Sequence, residues 1–182
     1  MKHFVLLAFF IAFTLQAEEV AENGDFAKGL THWSSEGKVE PGNNVLLITL
    51  NERKWTLVEQ DIKLSKEPPS AFTLKVELAA GADFKPAEKS KKYAEEDFAM
   101  GGSYGWSARI FPRADFLIQF SNSGGWEYRP VQLKADGSST TVVKKFEKLK
   151  EKKGTLTLAF PPGAGTVVLK LVSVDLQAPA PK

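Results

Sequence analysis

Cysteine is absent from all 182 residues, which excludes disulfides, thiolate metal sites and a lipid-modified cysteine at a mature N-terminus. Histidine is nearly absent: His3 lies in the leader described below, so His32 is the one imidazole in the body of the chain. No Ser-His-Asp constellation assembles around it. HExxH, phosphate-loop and dinucleotide fingerprints are missing too. Charge of one sign is also scarce. With 24 basic and 22 acidic residues the formal charge is +2, too small to mark nucleic acid or an anionic membrane as the main partner. The one long apolar run, residues 4–15, falls short of the ~20 residues a membrane-spanning helix needs. It follows Lys2 and His3 and precedes Leu15-Gln16-Ala17, so residues 1–17 read as a secretory signal peptide with the mature chain starting near Glu18. The expectation is a secreted or periplasmic protein with no integral membrane segment after cleavage. Without disulfides, such a domain must hold itself together by its core.

What is present suits a β-rich core. Thirteen Phe and four Trp accompany an ordinary 43% hydrophobic and 25% charged composition. The length suits one domain, burying roughly 70% of its unfolded surface. Residues 33–39 read as a strand ending at Glu40-Pro41-Gly42-Asn43-Asn44. Residues 45–50 and 55–64 read as an antiparallel pair joined by the polar loop Asn51-Glu52-Arg53-Lys54. Val58, Gln60, Ile62 and Leu64 share one face. Phe72, Leu74, Val76 and Leu78 alternate with Thr73, Lys75 and Glu77, the clearest strand signal in the chain.

Residues 81–105, charged and then glycine-rich, read as a surface insertion. Strands resume at 106–111, 116–121, 126–133, 140–146, 154–160 and 166–176. The last carries apolar groups on both faces, as a covered central strand does. The lysine-rich stretch 144–153 reads as a solvated strand end and loop. Residues 178–182 read as a short disordered tail. Nine or ten short strands without repeats or a linker predict an all-β antiparallel β-sandwich spanning residues 18–177.

The segment Asn23-Gly24-Asp25-Phe26-Ala27-Lys28-Gly29-Leu30-Thr31-His32-Trp33 reads as a short strand, a tight bend and a second strand, with its large side chains plugging the core. Its pattern N-G-D-F-x-x-G-L-x-x-W resembles the first strand of galactose-binding-like jelly rolls, in particular the carbohydrate-binding modules of bacterial cellulases and xylanases. Val58-x-Gln60-x-Ile62-x-Leu64, the proline loop and the strand from Phe72 to Leu78 are similar to that family's next core strands. The resemblance covers nearly all of the mature chain and is weakest across residues 81–105. It implies a jelly roll that binds a polysaccharide or oligosaccharide. The competing expectation is an interaction sandwich that has lost the sugar site and engages another envelope protein.

Catalysis is not expected. Glu95, Glu96 and Asp97 are adjacent, so their side chains diverge instead of flanking a scissile bond. No cofactor is expected. Sugar binding needs aromatic platforms beside planar polar groups, and two segments offer that mixture. One holds Tyr104, Trp106 and Arg109, the other Trp126, Tyr128 and Arg129. Each aromatic also fits a plain core role, and Trp55 is undecided. An even loop at Asn122-Ser123-Gly124-Gly125 sets Tyr128 opposite Gln119 and Trp126 opposite Ser121, away from Phe116, Ile118 and Phe120. An odd loop puts Tyr128 opposite Phe120. Both suit the sequence.

Many members of the family hold a structural calcium between the first-strand motif and the last strand. Asp25 is present here, but Lys170 and Leu171 stand where the resemblance places acids, and neither an ammonium nor an alkyl group ligates calcium. No metal site of that type is expected, and Asp175 leaves a displaced one as the alternative. Calcium should therefore leave the melting temperature unchanged, because a tightly bound ion stabilises the folded state by mass action. A chelator-sensitive shift of several degrees in a thermal melt is the contrary result.

Overall fold

Two sheets, each with a row of large apolar side chains on its inner face, lie against one another and enclose those rows. The computed structural model describes residues 20–64, 71–86, 116–122 and 125–177. Twelve strands are found there: β1 (Ser34–Glu36), β2 (Lys38–Pro41), β3 (Leu46–Thr49), β4 (Thr56–Lys63), β5 (Ala71–Ala80), β6 (Lys85–Pro86), β7 (Phe116–Asn122), β8 (Gly125–Val131), β9 (Ser139–Glu147), β10 (Lys153–Phe160), β11 (Gly163–Ala164) and β12 (Thr166–Gln177). The front sheet runs β1-β4-β10-β7-β8 and the back sheet β2-β3-β12-β5-β9, with β6 and β11 forming a small ribbon. Every pairing is antiparallel. Among the described residues there is no helix.

Strict alternation builds the core. Val58, Ile62, Leu156, Leu158, Ile118 and Phe120 from the front sheet meet Ile48, Phe72, Leu74, Val76, Leu78, Val172 and Val174 from the back sheet in one cluster. Phe72 is the pivot. Its ring lies 4.9 Å from Phe120 of the front sheet, edge to face, and 4.8 Å from Phe146, stacked. Phe26, Trp33, Ile62, Phe72, Leu74, Val76, Leu156 and Leu158 are all buried in this cluster.

Three sequence expectations need correction. Residues 23–33 contain no strand; they form successive turns closed by Phe26 N–H to Asn23 O, Gly29 to Phe26, Thr31 to Lys28 and Trp33 to Leu30. The positive φ values of Asn23 (53°), Phe26 (56°), Gly29 (60°) and His32 (70°) prevent an extended run. Phe26 and Trp33 nevertheless do plug the core, with ring centroids 5.5 Å apart.

The expected strand over 33–39 is two strands broken at Gly37, whose φ of 93° turns the chain out of one sheet and into the other. Nor are β3 and β4 partners. β3 lies between β2 and β12, and β4 between β1 and β10. The loop joining them crosses between sheets, turned by the Asn51 carboxamide oxygen, which accepts from Arg53 N–H (2.8 Å) and Lys54 N–H (3.0 Å). A short polar loop serves a hairpin and a crossing equally well, so local sequence does not separate them.

β12 is central, as expected, but its outward residues Val168 and Leu171 are only half-buried. A bulge between Leu169 and Leu171 makes Lys170 the extra residue and accounts for the broken alternation. Residues 144–153 are mostly solvated, as expected, while Phe146 is buried and Leu149 packs on the core. Residues 1–19 and 178–182, most of the insertion (87–105) and the expected strand at 106–111 lie outside the described residues.

Phe72→Ala should cost about 3–5 kcal/mol, because it removes the ring that joins the sheets and leaves a cavity. Denaturant unfolding measures this. A loss below about 1 kcal/mol would mean that the core does not rest on that ring.

Candidate functional site

The outer face of the front sheet carries the polar chemistry. Inward residues of β4 alternate with Leu57, Glu59, Asp61 and Lys63, and strand register carries each of these across the sheet. Glu59 pairs with Thr157, and Thr157 with Gln119. Asp61 pairs with Thr155, and Thr155 with Ser121. Leu57, Ala159 and Leu117 form the next row. The face is therefore graded. At one end Asp61 is exposed and Thr155 and Ser121 are half-buried. Glu59 is half-buried, but Thr157 and Gln119 in the middle row are buried. Leu57, Leu117, Ala159 and Trp55 form a separate apolar cluster beyond them. Trp55, undecided from sequence, belongs to this outer cluster and not to the main core.

Hydrogen bonds fix the carboxylates. The Thr155 hydroxyl donates to Asp61 Oδ1 (2.7 Å) and the Thr157 hydroxyl to Glu59 Oε1 (2.7 Å). Gln119 is different: its side chain is buried, yet neither its carboxamide nitrogen nor its oxygen has a partner. Leaving such groups unmet costs about 1–3 kcal/mol each.

The open end of the face continues into a cleft lined by Glu22, His32, Ser34, Glu59, Asp61 and Thr155. Here His32 Nδ1 lies 3.0 Å from Glu22 Oε2, both side chains more than half exposed. The histidine is a satisfied surface residue. A second hollow, between Glu36, Lys38, Asn51, Lys54 and Trp55, lies where the chain passes between the sheets. Among the described residues no three His, Asp or Glu side chains gather to hold a metal ion.

Of the residues expected to bind sugar, Tyr104, Trp106 and Arg109 lie outside the described residues. The other three are on β8. Tyr128 pairs with Gln119 and Trp126 with Ser121, which is the even-loop register. Arg129 pairs with Ile118, a core-facing position, so the register separates it from positions 126 and 128. The two polar rows thus read Glu59–Thr157–Gln119–Tyr128 and Asp61–Thr155–Ser121–Trp126 across four strands, a span of about 14 Å. Sequence reasoning missed Glu59, Asp61 and Gln119. The available signal was Gln119 itself, the one amide inside Phe-Leu-Ile-Gln-Phe.

No protein-family model matches the chain, and no curated protein matches it. Solved structures do. TmCBM61, solved in complex with β-1,4-galactotriose, superposes with a TM-score of 0.59 at 12% identity, over 87% of this chain and 99% of that one. The CBM22-1 xylan-binding domain of Paenibacillus barcinonensis Xyn10C gives 0.55 at 13% identity, over 86% and 94%. The enzymatically active domain of bacteriophage CBA120 tailspike protein 4 gives 0.58 at 10%, but this chain spans only 21% of it. The chain therefore shares the antiparallel β-sandwich fold of these carbohydrate-binding modules.

Gln119→Leu should stabilise the protein by about 1–3 kcal/mol, since it removes buried polar atoms that have no partners. Chemical denaturation of the ligand-free variant checks the sign. Destabilisation would show that the amide is already satisfied.

Proposed function

We propose that this protein is a secreted or periplasmic, non-catalytic carbohydrate-binding module whose ligand lies on the outer face of the front sheet. The observation that carries the reading is the Gln119 carboxamide, buried with donor and acceptor both unused in the middle of a polar row. A planar amide that offers both groups matches a sugar hydroxyl, which donates and accepts at once. Its neighbours fit the same ligand. Glu59 and Asp61 accept hydroxyl protons, Thr155, Thr157 and Ser121 do either, and the register sets positions 126 and 128, aromatic in the sequence, at the ends of the same two rows. The jelly-roll relatives solved with galactotriose or described as xylan-binding support an oligosaccharide as the ligand class.

Binding without hydrolysis follows from the arrangement of the acids. Glu59 and Asp61 stand side by side on one strand, each already accepting a threonine hydroxyl. Glycoside cleavage needs two carboxyl groups flanking the bond. Among the described residues the face lacks that geometry.

A polysaccharide pull-down followed by titration calorimetry tests the reading. Trp126→Ala and Gln119→Leu should each weaken binding of the captured glycan by about 1–3 kcal/mol, in the range of aromatic and desolvated polar hot spots. Trp126→Ala should leave the melting temperature unchanged. Failure to capture any glycan, or a Trp126→Ala variant that binds as well as wild type, would refute the proposal.

A further inference from the structure

The cleft at the open end of the front face is acidic, in a chain whose total charge is +2. The carboxylates of Glu22, Glu59 and Asp61 line it against the single ammonium of Lys63. His32 Nδ1 lies 3.0 Å from Glu22 Oε2, and an excess of negative charge remains whether or not that imidazole carries a proton. A cleft lined by one sign of charge concentrates ions of the other. Asp61 Oδ1 accepts the Thr155 hydroxyl, and the carboxylate forms no ion pair among the described residues. The three acids do not gather closely enough to hold a metal ion. A larger ligand that presents several cations can meet them separately.

One buried group in the cleft also lacks a donor. Gln60 lines the same cleft, although it is only 4% exposed. Its Nε2 donates to Glu22 O (2.7 Å) and His32 O (3.3 Å). Both partners are carbonyl oxygens, which fixes the nitrogen there and leaves Oε1 as the other end of the amide. That oxygen is buried and has no partner. A buried acceptor in this state is unfavourable until a donor reaches it.

The cleft lies at the end of a row already described. β1 extends along β4 only as far as the Ser34–Glu59 pair. Beyond that pair, β4 is flanked by the turn that carries Glu22 and His32, held there by Gln60. A glycan lying along Trp126–Ser121–Thr155–Asp61 therefore enters the cleft with its next unit.

We infer that the glycan bound by the front face is an amino-sugar polysaccharide with free amines, whose ammonium groups enter this cleft. Glu22, Asp61 and the Gln60 oxygen receive them. The inference rests on the glycan-binding reading and narrows it. An ammonium brings three donors and a charge, where a hydroxyl brings one donor and no charge. Hydrogen bonds from an ionised donor are also stronger than neutral ones. Lys63 opposes the same charge from the far side of Asp61 on β4.

The test compares three β-1,4-linked hexamers that differ at carbon 2. The glucosamine hexamer bears an ammonium there, the glucose hexamer a hydroxyl and the N-acetylglucosamine hexamer an uncharged amide. Spermine serves as a polycation without sugar. Titration calorimetry at low salt should show the glucosamine hexamer binding about tenfold more tightly than the glucose hexamer, two exposed carboxylates each contributing a modest amount. The N-acetylated hexamer should show no such gain, and added salt should shrink the preference. Glu22→Gln/Asp61→Asn should bring the ratio close to one. Lys63→Gln should widen it, and this exposed position keeps the test intact if the double variant fails to fold.

Equal binding of the glucosamine and glucose hexamers, or no binding of the former, overturns the inference. Capture of any other polysaccharide then leaves the glycan reading standing. A ratio unmoved by these substitutions overturns the assignment to this cleft. Spermine binding as tight as that of the glucosamine hexamer marks a site for any polycation, and also overturns it. Binding to no polysaccharide at all removes the glycan reading and the inference together.

Discussion

The fold depends on how residues 20–33 close one end of the sandwich. Turns of this kind direct carbonyl groups inward, where each needs a donor. The chain supplies those donors itself. Asn23 Nδ2 reaches Gly29 O and Thr31 O, and Trp33 Nε1 reaches Glu22 O and Asn23 O. Gln60, from the middle of β4, donates to Glu22 O (2.7 Å) and His32 O (3.3 Å). The last tie runs to the other sheet, where Val172 N–H, just past the bulge in β12, donates to Gly24 O (2.8 Å). A side chain at position 24 would collide with Val172 O, so glycine is needed there for space. One loop thus joins the front sheet through Gln60 and the back sheet through Val172. Amide and indole N–H groups thus take up the carbonyl oxygens of the turn.

Much of this architecture was legible because burial on one face imposes a period of two. Phe72 to Leu78 and Val58 to Leu64 could be read directly, since a half-buried strand allows no other pattern. What could not be read was the sheet to which each strand belongs. The loop after β3 and the glycine after β1 both redirect the chain, and whether it returns to its neighbour or crosses to the opposite sheet is decided by distant strands. β12 arrives more than a hundred residues later to take the edge of β3. The turns at 23–33 were misread for a related reason. Phe26 in a left-handed conformation is unfavourable by itself, and only its burial against Trp33 makes it worthwhile.

Of the proposed site, only the aromatic members stood out in the sequence. Trp126 and Tyr128 stand out in any scan for platforms, but their face depended on a loop that fits two registers. Pairing of Asn122 with Gly125 is the even register. Glu59, Asp61 and the two threonines look like ordinary solvent-facing strand residues, and their meaning comes from four strands standing side by side. Gln119 was conspicuous in a run of large apolar residues. Its buried and unpartnered state emerges only when the neighbouring strands are in place.

The break at Gly37 has a consequence for how the molecule behaves in company. By dividing one strand into pieces of three and four residues, it gives both sheets a very short border on the same side. A border so short offers a foreign chain too few unpaired backbone groups to grip. Among the described residues the opposite borders are β8 and β9, of seven and nine residues, and there β9 carries Lys144 and Lys145. Charged side chains on an edge discourage the addition of further strands. Three of the four borders thus discourage strand addition, β1 and β2 by shortness and β9 by charge.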